Sequence, residues 1–269
     1  MRGILLLTLI LGLAACGGTA ETPAAPATVA DTAAPAAPAE TAAAPTETAV
    51  APVGMAERVT VEAADGRLIQ ATLLTPLTSG AAPGVILLHM LGDDRTVWGE
   101  VGLAADLVDA GYAVLAVDMR GHGETGGAQD WALAADDLAR VWDDFAARDT
   151  VDEARTAIVG ASIGANMALG LGADRPEVRG VVLLSPGLDY RGVTTADRLA
   201  GYGARPLLLV ASEDDAYAAD SVRALAAAAA GTAQVQVYDA AGHGTNMFAA
   251  EPGLSARIVG WLDENVAQP

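Results

Sequence analysis

From residue 85 onward the chain carries short unbroken apolar runs, separated by longer stretches in which apolar and polar residues mix. The runs are Val85-Ile86-Leu87-Leu88, Val114-Leu115-Ala116-Val117, Ala157-Ile158-Val159, Val181-Val182-Leu183-Leu184 and Leu207-Leu208-Leu209-Val210. A strand with one wet face alternates apolar with polar, whereas a strand with no polar face is covered on both sides, as in a parallel sheet between two layers of helices. The intervening stretches predict helices over 96–110, 131–147, 163–172 and 217–230, with a last one over 250–266. Repeated strand-helix units with right-handed crossovers make a three-layer α/β fold with a mostly parallel central sheet. Two flanking segments differ. Residues 58–62 and 67–74, joined around Asp65-Gly66, predict an antiparallel hairpin at one edge. Val235-Gln236-Val237-Tyr238 alternates, which suits a strand near an exposed edge.

The first fifth of the chain has none of this patterning. Arg2, the apolar run Ile4–Leu11 and the small residues around Ala14-Ala15 have the layout of a secretory signal over 1–15, too short to span a bilayer. The only cysteine, Cys16, follows Leu13-Ala14-Ala15. That segment resembles the lipobox of bacterial lipoproteins, which implies lipidation of Cys16 and an exported, membrane-anchored protein of the cell envelope. Residues 16–55 are nearly all Ala, Pro and Thr, without an aromatic, and predict a disordered, semi-extended tether to a domain over 56–269. With one cysteine there is no internal disulfide, so that domain relies on its core. It holds 14 arginines against 30 acids, a net charge of −16, and the chain has no lysine. Such a surface repels nucleic acid and favours neutral or cationic substrates; it also serves solubility.

Candidate chemistry begins at Gly160-Ala161-Ser162-Ile163-Gly164, where a buried strand gives way to a helix. A turn that sharp leaves no room for side chains at 160 and 164, and it lifts the serine hydroxyl clear of the sheet. The N–H of Ile163 then lies at a helix N-terminus, where it can stabilise an oxyanion. A serine nucleophile needs a base, and the chain offers three histidines, His89, His122 and His243. His243 follows the last predicted strand and lies downstream of the serine, in the chain order nucleophile, acid, base. The orienting acid should follow the strand ending at Val210, where Asp214 and Asp215 both stand. Whichever of the two does not face the histidine is expected to cap the next helix.

These motifs resemble the α/β-hydrolase superfamily, and the resemblance extends in order over residues 57–266. His89-Met90-Leu91-Gly92 resembles the His-Gly-x-Gly loop of that superfamily, with Met90 where glycine is common. The resemblance implies Leu91 as second oxyanion donor, with Met90 as the fallback, and a structural role for His89. Asp118-Met119-Arg120-Gly121-His122-Gly123-Glu124-Thr125 resembles the D-x-R-G-H-G-x-S/T segment, which implies that Asp118, Arg120 and His122 brace the rim. Counting from Ala211 as the usual glycine selects Asp214, and counting from Ser212 selects Asp215. The nearest groups are the lid-poor, dienelactone-hydrolase-like proteins and small esterases. The resemblance implies hydrolysis of a small acyl ester through an acyl-enzyme on Ser162, with neither cofactor nor metal. The three histidines also lack metal-ligand spacing. Only 22 residues separate Leu184 from Leu207, too few for a cap domain, so the site should be open, with at most a short lid over 187–204. The rivals are an acyl-peptidase or acyltransferase of the same fold, and a catalytically silent binding module of the envelope.

Overall fold

A computed structural model describes residues 54–268. The signal, Cys16 and most of the tether lie outside the described residues. No helix among the described residues is long and apolar enough to cross a membrane.

The antiparallel hairpin forms from β1 (Gly54–Glu62) and β2 (Leu68–Pro76). The apolar runs become β3 (Ala82–Leu88), β4 (Ala113–Val117), β5 (Val151–Ala161), β6 (Val178–Leu184) and β9 (Leu207–Ser212), with β10 (Ala233–Tyr238) at the far edge. The sheet order is β1-β2-β4-β3-β5-β6-β9-β10; β2 runs antiparallel to both of its neighbours, β1 and β4, and every pair from β4-β3 onward is parallel. The three central runs meet in register, Ile86 opposite Ile158 and Ile158 opposite Val181.

Each central strand feeds two cores, because its successive side chains point to opposite faces. Ile86, Leu88, Leu115 and Val117 pack with helices α3 (Trp131–Ala146), α4 (Ile163–Asp174) and α6 (Ala216–Ala228). Val85, Leu87, Val114 and Ala116 pack on the other face with α2 (Leu103–Asp109) and α8 (Leu254–Asn265). Helix α3 starts where Asp130 caps it, accepting from the N–H groups of Ala132 and Leu133 at 3.1 and 3.0 Å.

Two helical expectations are corrected. The stretch 96–110 breaks into α1 (Val97–Glu100) and α2, because Gly102 sits at φ 82° and turns the chain so that Trp98 and Leu103 both reach the core. The last helix starts at Leu254 rather than 250. Pro252 pushes Glu251 out of helical geometry, to φ −122° and ψ 80°, and splits off the single turn α7 (Met247–Ala250). The segment between β6 and β9 holds a two-stranded hairpin, β7 (Asp189–Tyr190) and β8 (Val193–Thr194), and the short helix α5 (Arg198–Tyr202).

Candidate active site

Ser162 stands between the end of β5 and the start of α4 at φ 54° and ψ −120°, a conformation that non-glycine residues rarely adopt. Its own backbone keeps it there: its N–H donates to Leu184 O at 2.8 Å, and its C=O accepts from Ala165 N at 2.9 Å and Asn166 N at 3.2 Å. The flanking glycines are needed for space. A Cβ on Gly160 would come 2.1 Å from Gly164 O, and one on Gly164 would come 2.3 Å from Leu88 O. The Ile163 N–H, first in the helix, has no hydrogen-bond acceptor among the described residues.

His243 follows β10 and precedes a single 3-10 turn, Gly244–Asn246. Its Nδ1 lies 2.5 Å from Asp215 Oδ2. Asp214, the other acid left open by the sequence, does not meet the histidine. Its carboxylate accepts from the Ser212 hydroxyl and, at 3.1 Å, from Gly242 N. The Ser212 hydroxyl hydrogen bond first, then that of Gly242, holds the Asp214 carboxyl below its usual pKa. The expected split between orienting acid and helix cap is overturned as well. Asp215 does both, since its Oδ1 also accepts from Ala218 N at 3.4 Å while Oδ2 faces His243. One carboxylate can do so because its two oxygens point along different directions at the start of α6.

Further bonds fix the histidine loop. The Gly244 N–H donates to Ser185 Oγ at 2.9 Å; Ser185 is fully buried and also has a positive φ, 50°. Thr245 Oγ1 donates to Asp93 Oδ2 at 3.1 Å, joining this loop to the one after β3. In that loop the Leu91 N–H, like that of Ile163, has no acceptor among the described residues. The N–H of Met90, the fallback donor, likewise has no acceptor among the described residues; its C=O accepts from His89 and Asp93, and its thioether lies against Gly244.

His89, Asp118, Arg120 and His122 are all buried, and their hydrogen bonds go to residues other than Ser162 and His243. The Met119 N–H donates to His89 Nε2 at 3.1 Å, so the proton of the neutral ring sits on Nδ1, which donates to Met90 O at 2.8 Å. Asp118 accepts from Arg95 N at 2.8 Å and Glu124 N at 2.7 Å and pairs with the Arg95 guanidinium. Arg120 spans Asp137 and Asp65, with a contact of 2.7 Å to each. His122 stacks edge-on against His89 at 4.9 Å. Among the described residues no His, Cys, Asp or Glu side chains are grouped as metal ligands.

Burial holds the His89 imidazole below its ordinary pKa of 6.5. The unfolded chain then binds a proton below about pH 6.5 that the folded chain refuses, so stability falls on acidification through that range. A thermal midpoint that declines between about pH 6.5 and 5, with a shallower decline in His89→Gln, is the expected result; parallel curves would refute it.

Two residues of the site, Tyr190 and Ser185, were not singled out by any sequence motif. The Tyr190 ring stands perpendicular to that of His243, at 87° and 6.2 Å between centroids. One signal was present, the Tyr190-Arg191-Gly192-Val193 stretch with glycine in a two-residue turn.

The family described as serine aminopeptidase, S33, matches residues 82–205. An uncharacterized protein of Mycobacterium tuberculosis (strain H37Rv) is 30% identical over 205 residues, 69% of this chain and 71% of that protein. The chain belongs to the α/β-hydrolases. Solved α/β-hydrolases share its fold at lower identity. A dienelactone hydrolase from Anabaena variabilis aligns at TM-score 0.66 and 21% identity, covering 80% of this chain and 99% of that one. A Pyrococcus furiosus esterase aligns at 0.66 and 18%, covering 79% and 93%. Acetyl xylan esterase 1 from a Thermoanaerobacterium species aligns at 0.66 and 18%, covering 81% and 86%. In this α/β-hydrolase, as in the fold generally, the candidate residues gather at the carboxyl ends of the parallel strands.

Proposed function

We propose that this α/β-hydrolase cleaves carboxylic esters through a covalent acyl-enzyme on Ser162. The observation that carries the proposal is the His243–Asp215 contact of 2.5 Å on the same rim as the strained serine turn. Asp215 accepts a hydrogen bond from Nδ1–H and so holds the proton on that nitrogen, which leaves Nε2 as the base. Ser162 Oγ attacks the ester carbon as His243 Nε2 takes its proton. The N–H groups of Ile163 and Leu91, both without acceptors among the described residues, receive the developing oxyanion. Collapse expels the alcohol, which takes the proton from His243, and water repeats the sequence to release the acid. Each step runs on protein groups and water.

The segment between β6 and β9 folds as a hairpin and one short helix, which supports an open site and small acyl groups. A fluorophosphonate probe should label the purified full chain, with the adduct on the peptide containing Ser162. Absence of labelling, or labelling at another serine, would sink the proposal. A p-nitrophenyl ester series and the matching anilides, run together, would separate esterase from amidase activity.

A further inference from the structure

No proton of this cycle passes through Tyr190, yet three ties hold its hairpin at the site. The turn that carries it has Arg191 at φ 56° and Gly192 at φ 85°, the pair of left-handed residues a twisted two-residue hairpin requires. Asn166, in the first turn of α4, donates to Val193 O at 2.7 Å and accepts from Gly187 N at 3.1 Å. Tyr217, in the first turn of α6, accepts from Asp189 N at 2.9 Å and donates to Asp189 O at 3.0 Å. Its ring meets that of Tyr190 edge-on at 5.6 Å. Gly187 makes the space, since a Cβ there would come 2.7 Å from the Tyr190 ring. The hairpin is thus bolted to the helix that starts at the nucleophile and to the helix that starts at the acid.

The Tyr190 hydroxyl bonds Ser185 O at 3.3 Å, a long contact, and its ring stands 6.2 Å from that of His243. Burial first, then Asp215 and Tyr217, raises its pKa, so the phenol keeps its proton across neutral pH. Strand order decides what it can reach. β3 and β6 flank β5 on opposite sides, so the Leu91 loop and the Tyr190 hairpin stand on opposite flanks of Ser162. The phenol is therefore on the wrong side to join the two N–H groups at the carbonyl oxygen. The ester's alcohol oxygen must lie beside His243 to take its proton, and the Tyr190 ring stands next to that imidazole.

We propose that Tyr190 is a catalytic hydrogen-bond donor to the leaving-group oxygen of the ester, acting alongside His243. The proposal rests on the hydrolytic reading of Ser162. As the bond from the acyl carbon to the alcohol oxygen breaks, the electron pair passes to that oxygen and the proton comes from His243. Tyr190 keeps its own proton and only stabilises the partial charge. Its contribution grows with the basicity of the leaving group, because a poor leaving group carries more charge than a good one at the same point.

The test compares p-nitrophenyl acetate with p-methoxyphenyl acetate, which differ only in the alcohol. Tyr190→Phe should lower kcat/KM on the p-methoxyphenyl ester by about tenfold more than on the p-nitrophenyl ester, as expected for loss of a hydrogen bond to a charged oxygen. Gly187→Ala, which displaces the ring without altering the phenol, should give the same selective loss. Equal losses on both esters, or none on either, in Tyr190→Phe would overturn the proposal. A native chain that turns over neither ester and resists fluorophosphonate would overturn the hydrolytic reading, and this one with it.

Discussion

Ser162→Ala is expected to lower ester turnover by a factor on the order of 10⁵, with the fold retained. The size follows from the loss of the covalent route. Without Oγ there is no acyl-enzyme, and His243 has no hydroxyl to deprotonate. What survives is the weak acceleration that the N–H groups of Ile163 and Leu91 lend to direct attack by water. The fold should survive because Ser162 is held by its backbone, through Leu184, Ala165 and Asn166, and not by its side chain. Far-ultraviolet circular dichroism and pseudo-first-order ester kinetics on the purified variant check both halves. Turnover within tenfold of the native chain would end the case for Ser162.

The second large effect separates two neighbouring aspartates. Asp215→Asn should cost roughly 10⁴-fold in kcat, because an amide at this position can present its NH2 to the ring and favour the wrong tautomer. Asp214→Asn should cost about tenfold or less, since an amide oxygen can still accept from Gly242 N and from Ser212. Steady-state kinetics on the two single variants decide it, and a larger loss in Asp214→Asn would reverse the assignment.

The sheet was legible because parallel strands buried on both faces leave unbroken apolar runs. Val85–Leu88 and Val181–Leu184 needed nothing beyond that rule, and both are fully buried or nearly so. The breaks in helices were readable in principle, from Gly102 and Pro252, but amphipathic spacing on either side masked them. The acid was not readable. Asp214 and Asp215 are adjacent, and only the path of the chain into α6 turns one toward His243 and the other toward Ser212. Tyr190 was hidden for a similar reason. Its relation to Ser162 depends on contacts with Asn166, Gly187 and Tyr217 from three separate segments, and no local pattern records them.

The conformation of Ser162 has a thermodynamic consequence. A non-glycine residue at φ 54° and ψ −120° costs about 1–3 kcal/mol, a sizeable share of the roughly 5–15 kcal/mol that typically separates folded from unfolded. The surrounding sheet and α4 absorb that cost, with the neighbours Ala161 and Ile163 buried in opposite cores. The elbow is therefore where selection for robustness and selection for turnover pull in opposite directions. Any change that lets this residue relax would stabilise the fold at the expense of the turn that presents the hydroxyl.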